Sequence, residues 1–148
     1  MRRRRKEVPN TAQRELGMTI AASAAGKQRG DRPRFTDDST GHLFVGAERL
    51  DEYLKRRGMD WVVRLRGECK RLDYSLLEGS YQRTGRNPFH PRTMLGLIIY
   101  GILSGQWSLR GLENLAVRDV GAWWMCGGQQ PDHSTIGDFI NRHSEVLT

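Results

Sequence analysis

The side chains with the most chemical potential lie in the second half of the chain: the carboxylates Glu113, Asp119, Asp132 and Asp138 and the histidines His90, His133 and His143. Carboxylates on separate rigid elements can clamp divalent cations, and imidazoles at short regular spacings can ligate zinc. These positions suit other work. Asp119 and Asp132 stand just before helical patterns, where a carboxylate caps free N–H groups, while Glu113 and Asp138 fall on exposed faces. His133 and His143 are ten residues apart across a helix start, and His90 sits between Pro88 and Pro91. Cys69 and Cys126 have no ligand spacing and are too few for a disulfide framework, which suits a reduced interior. The residues therefore point to no catalytic group, no metal ligand and no cofactor. Trp123-Trp124 has the chemistry to stack on bases, but adjacent aromatics on a short apolar helix read first as core plus rim.

A second set of side chains suits nucleic acid. A helix-turn-helix reader offers short polar groups from the first turn of its second helix. Here the last helical pattern begins Ser134-Thr135 and exposes Gly137, Asp138, Asn141 and Arg142. Ser134, Thr135 and Asn141 can meet base edges or phosphates, and Arg142 can pair with phosphate or guanine. Arg110, beside a cap at Ser108, and Arg86, in a proline loop, add two phosphate contacts. Each arginine has the alternative of a solvated or salt-bridged surface residue, and Asp138 opposes phosphate unless it accepts from a cytosine amine.

Positioning these residues requires a core, and the stretch Gly85–Ser104 supplies its centre. Pro88 and Pro91 stiffen a polar loop, and Pro91 suits the first turn of a helix. From Met94 to Leu103 apolar residues point all round, so this helix is expected to be surrounded. It is too short for the roughly 20 residues of a membrane span. Around it the patterns predict helices over Glu48–Arg57, from an Asp60 cap through Cys69 with Trp61, Val62 and Leu65 buried, and over Ser75–Tyr81 after Asp73. Further helices run from the Ser108 cap to Ala116 and from Asp119 to Met125. The last runs from a Thr135–Asp138 capping box to Leu147, with Ile136, Phe139, Ile140, His143 and Leu147 along one stripe. His42–Val45 is a short apolar run with no partner strand in view. The fold class is all-α: a compact multi-helix bundle over 42–148 whose C-terminal half is helix-turn-helix-like.

Residues 1–41 lack hydrophobic periodicity and read as a disordered basic tail, with a frayed helix near Gln13–Ala25. Residues 1–34 hold ten Lys/Arg against three Asp/Glu, whereas 35–148 hold fourteen of each. The net charge of +7 thus belongs wholly to the tail, which either attracts phosphate without sequence preference or merely solubilises the chain or reflects an over-long start. Its Arg run and Ala/Ser/Gly stretch make a weak export signal, and Ala21–Lys27 is no phosphate loop, since Gln28 follows where Ser or Thr is needed.

The ordered set GRNPFHPRTMLGLIIYGILSG, SLRGLENL and PDHSTIGDFINRH resembles the N-terminal (InsH-type) domain of bacterial insertion-sequence transposases. The residues that carry it are Gly85, Arg86, Pro88, Phe89 and Pro91; Met94, Leu95 and Gly105; Ser108, Arg110, Leu112 and Glu113; and Pro131, Asp132, Ser134, Thr135, Ile136, Phe139, Arg142 and His143. It spans about Glu48–Leu147 and leaves the basic residues 1–41 unmatched. The resemblance implies an enzyme family in which three carboxylates on an RNase H-like sheet hold two divalent metals for DNA strand cleavage and joining. In that family those carboxylates lie beyond the domain matched here, so a chain stopping at Thr148 is expected to be truncated before its catalytic part and inactive alone. The function implied is a DNA-binding and assembly domain working at element ends in the bacterial cytoplasm, on the nucleoid, with itself or a full-length transposase as protein partner and no membrane contact. The alternatives are a helical protein–protein module that regulates a full transposase, dimerising through Trp123-Trp124, and an inert fragment of a decayed element.

Overall fold

A computed structural model describes residues 33–81 and 86–147. The tail expectations for 1–32, including the helix near Gln13–Ala25, lie outside the described residues. The bundle is built from α1 (Leu50–Arg56), α2 (Asp60–Arg71), α3 (Ser75–Glu78), α4 (Pro91–Leu103), α5 (Leu109–Arg118), α6 (Val120–Cys126), α7 (His133–Arg142) and α8 (Ser144–Leu147). The domain is mostly helical, as the hydrophobic periods require.

One small sheet stands outside that pattern. Phe44–Val45 (β1) pairs antiparallel with Glu48–Arg49 (β2). The run from His42 therefore does have a partner, and it takes the first two residues assigned to the Glu48–Arg57 helix. The reason is the Gly46-Ala47 turn: Gly46 has φ 63°, the left-handed value that short hairpin turns favour.

The core helix α4 starts on an unusual cap. His90 Nδ1 accepts from the Arg92 N–H at 3.0 Å, and Pro91 occupies the first turn. Helix α4 packs against α2, α5, α6 and α7, with Thr93, Met94, Leu97 and Tyr100 buried. Leu97 is fully enclosed, and trimming such a residue to alanine typically costs about 2–5 kcal/mol. The helix is not surrounded along its whole length, however. Its last turn leaves Ile102 and Leu103 exposed beside Trp107, which is 75% accessible. No helix among the described residues is long and apolar enough to cross a membrane.

Caps organise the remaining joints. Ser108 Oγ accepts from Gly111 N, and Asp119 accepts from Gly121 N and Ala122 N. Asp119 also accepts from the Tyr100 hydroxyl at 2.6 Å, which ties α6 to the centre of α4. This contact needs Gly121, because a Cβ there would lie 2.3 Å from the Tyr100 oxygen. Met59 rather than Asp60 precedes α2; Asp60 is its first residue and pairs with Arg64 one turn on at 2.7 Å. Trp61 is partly exposed and stacks on Tyr100 at 5.8 Å instead of entering the core. Asp73 does accept from Ser75 N at 2.9 Å, but α3 closes at Glu78 rather than Tyr81.

Candidate nucleic-acid interface

The entrance of α7 is set by Asp132. Its Oδ1 accepts from Thr135 N at 2.7 Å and from Ser134 Oγ at 2.9 Å. The cap is therefore Asp132, and the predicted Thr135–Asp138 box is not used, because the helix begins two residues earlier, at His133. The Thr135 N–H, followed by the two hydroxyls, holds the Asp132 carboxyl down at about 2. Ile136 and Phe139 fix α7 to the body, which turns Ser134, Asp138, Asn141 and Arg142 to solvent. His133 Nδ1 meets Glu113 at 2.9 Å and so joins the start of α7 to α5.

Beside this entrance lies a cleft of about 340 Å³ lined by Thr36, Arg86, Asn87, Pro88, Phe89, Gln130, Asp132 and Thr135. A second hollow of about 160 Å³ shares Pro88, Phe89 and Thr135 and continues to Tyr81, Asp138 and Arg142. The proline loop and α7 thus line two adjoining hollows that share Pro88, Phe89 and Thr135, together a trough beside the helix. Three of the six residues singled out for DNA line it: Arg86 from the loop, Thr135 from the first turn of α7 and Arg142 from its last turn. Ser134 and Asn141 are exposed on α7 without lining it, and Arg110, exposed in the first turn of α5, also lies outside it.

The arginines differ in freedom. Arg142 lies over the Tyr81 ring, its guanidinium carbon 4.8 Å from the centroid, so it is oriented before any ligand arrives. Behind it, His143 is buried, touches the Phe139 ring at 4.8 Å and approaches the Tyr81 hydroxyl at 3.3 Å. Burial, reinforced by the charge of Arg142, lowers the His143 pKa from its ordinary 6.5. Arg86 and Arg110 make no ion pair with another described residue.

The model of the family described as Transposase domain (DUF772) matches residues 57–142, well over half of the chain. The chain belongs to this family of transposase domains. No curated protein and no solved structure matches it. The matched span runs from the end of α1 to the last residue of α7, so the trough falls inside the transposase domain apart from Thr36. Membership ties the chain to DNA transposition.

Of the four carboxylates singled out, Asp119 and Asp132 cap α6 and α7 and Glu113 pairs with His133, while Asp138 is exposed beside the second hollow. Among the described residues no three His, Cys, Asp or Glu side chains are grouped to hold a metal. Trp123 and Trp124 are half-buried; Trp124 packs on the core and Trp123 Nε1 donates to Val117 O. They are core and rim, whereas Trp107 is 75% exposed.

One cluster had no announcement in the sequence. Asp38, grouped by composition with the tail, is buried at 5% exposure. It accepts from Arg92 Nε and Nη2 at 2.7 and 2.8 Å and from the Thr93 hydroxyl at 3.2 Å, with Arg66 Nη2 at 3.7 Å. Burial, the largest influence, raises the Asp38 carboxyl, but the Arg92 hydrogen bond, the two guanidinium charges and Thr93 together bring it below its usual 3.8. Arg66 is itself buried and donates to the carbonyls of Met125 and Asp38. No spacing rule joins residues 38, 66 and 92; only the packing of α2 on α4 does. The nearest signal was Arg66, a charge on the face of α2 that also carries Val62 and Cys69.

Proposed function

We propose that this chain is the DNA-binding and assembly domain of an insertion-sequence transposase, meeting DNA across the α7 face and the trough beside it. The observation that carries this reading is the convergence of Arg86, Thr135 and Arg142, far apart in sequence, around one exposed trough. A preset guanidinium at Arg142, and one at Arg86 that pairs with no other described residue, suit two backbone phosphates. Thr135, Ser134 and Asn141 offer base-edge or phosphate contacts along the same helix, and Arg110 extends the set onto α5. Glu113, Asp119, Asp132 and Asp138 are read as structural, so strand cleavage by this polypeptide alone is not expected. On this reading the protein acts at element ends on the bacterial nucleoid. Gel shifts at fixed salt, comparing element ends with scrambled duplex, test the reading. Tighter binding of ends, weakened by Arg86→Ala with Arg142→Ala, supports it; equal affinity for both DNAs removes specific recognition.

A second reading is protein assembly, with another copy or a full-length transposase. What favours it is the apolar group Ile102, Leu103 and Trp107 at the end of α4, exposed at 47%, 61% and 75%. The Trp123-Trp124 pair is a weaker candidate, being engaged in the fold. Sedimentation of wild type against Trp107→Ser with Leu103→Ser separates the two readings, since loss of self-association with intact DNA binding assigns assembly to this end.

A further inference from the structure

The same two residue types at the same spacing behave differently on two helices. On α2, Asp60 and Arg64 stand one turn apart and form an ion pair at 2.7 Å. On α7, Asp138 and Arg142 have the same order and spacing, both are exposed, and both line the smaller hollow. A carboxylate one turn before a cation is the order that a helix favours for pairing. Among the described residues, however, no ion pair joins these two. The Arg142 guanidinium carbon lies instead 4.8 Å from the centroid of the Tyr81 ring, which lines the same hollow.

Tyr81 is fixed from several directions. It follows α3, and its N–H donates to Glu78 O at 3.2 Å. Phe35 belongs to a strap, residues 33–40, that has neither helix nor strand; its ring meets that of Tyr81 edge-on with centroids 5.3 Å apart. The His143 ring lies 5.7 Å away, with Nε2 3.3 Å from the Tyr81 hydroxyl, and His143 is itself buried against Phe139. A ring held in this way is a firm platform for a planar guanidinium, which then gives up less freedom on meeting a phosphate than an arginine loose in solvent. Paired with Asp138, the same guanidinium would be neutralised before DNA arrived.

We propose that Tyr81 is a positioning residue for DNA binding: its ring face holds the Arg142 guanidinium off Asp138 and so keeps that charge available to a backbone phosphate of duplex DNA. Phe35 and His143 act through Tyr81, by fixing its ring. Asp138 enters as the competing partner for Arg142, not as a contact to DNA. This inference rests on the DNA-binding reading above.

The test uses the full chain and a labelled mixed-sequence duplex, with affinity measured over a salt series. Arg142→Ala sets the scale, since loss of one phosphate contact lowers the logarithmic salt slope by about 0.9. Tyr81→Leu is expected to weaken binding roughly two- to fivefold, the worth of a cation–π contact at an exposed site, and to move the slope in the same direction. Asp138→Asn removes the competitor, so it should restore affinity to Tyr81→Leu by more than the gain it gives the wild type. In an Arg142→Ala background Tyr81→Leu should change nothing further, because the ring then has no cation to place. Tyr81→Phe keeps the ring and should bind within roughly twofold of wild type. Should Tyr81→Leu unfold, Arg142→Lys takes its place in the Asp138→Asn comparison, since it keeps the charge but not the planar group that stacks on a ring. Equal gains from Asp138→Asn in the two backgrounds, a Tyr81→Leu loss that persists in the Arg142→Ala background, or a Tyr81→Phe loss as large as that of Tyr81→Leu overturns the proposal. If Arg142→Ala weakens binding and a folded Tyr81→Leu does not, only the role of Tyr81 falls; if neither Arg142→Ala nor Arg86→Ala weakens it, the DNA-binding reading falls as well.

Discussion

Asp38 and Asp132 are both carboxylates set close to the start of a helix, and the domain uses them in opposite ways. Asp38 is enclosed, faces two guanidinium groups and a hydroxyl, and joins a strap to α2 and α4. Asp132 stands in solvent and takes its partners from the next three residues of its own chain. One interaction is tertiary and irreplaceable from nearby sequence; the other is local and would form in almost any context. The contrast separates the part of the molecule that holds a segment in place from the part proposed above to meet DNA.

The comparison breaks most readily at Asp38. Asp38→Ala leaves Arg66, only 4% exposed, without its counter-charge, and a loss of about 3–5 kcal/mol is expected in urea unfolding. Adding Arg66→Met should recover part of that loss, since the stranded charge is then gone. No recovery would show that the strap, rather than the charge, carries the stability.

Acid attacks both regions in sequence. Burial, then the charge of a neighbouring arginine, lowers His90 and His143 below 6.5 in the folded protein. The unfolded chain therefore binds more protons, so their contribution is complete above pH 6.5 and is lost as the pH falls toward the folded values. Protonating His90 has a local consequence as well, because Nδ1 accepts the Arg92 N–H that caps α4. Asp38 and Asp132 are both lowered from 3.8, so their share persists down to that pH and disappears only below it. Thermal melts should fall first as the pH drops below 6.5, then again below pH 3.8. His90→Asn, which keeps an acceptor without titrating, should shrink the first step.

On the presenting side, Arg142→Ala is expected to weaken DNA binding uniformly across sequences and to reduce the salt slope by about 1, as loss of one phosphate contact does. Arg110→Ala, which lies outside the trough, should do less in the same titration. Smallest of all, Asp132→Ala removes a solvent-exposed cap; a slight drop in Tm is expected, far below that of Asp38→Ala, and Asp132→Asn should restore it.

Much of the bundle was legible because its signals are local. The Ser108, Asp119 and Asp132 caps, the proline start of α4 and the stripe through Ile136 and Phe139 each need only a few neighbouring residues. The β1–β2 hairpin was missed because two-residue strands carry no period, and Trp61 was assigned to the core because periodicity gives a side chain a face but not its final depth. The site was half legible. Arg86, Thr135 and Arg142 were identifiable as residue types suited to phosphate and base edges, but their meeting around Pro88 and Phe89 depends on how α7 docks against the proline loop.

By itself the sequence determined a helical bundle of the transposase family, with its positive charge gathered at one end, because helix caps, hydrophobic period and composition act over a few residues. Only the tertiary structure decided that Asp38 leaves the polar tail for the interior and that Thr36, two residues before it, lines the trough. That choice depends on two arginines 26 residues apart reaching one carboxylate, and such a meeting exists only once α2 and α4 have packed.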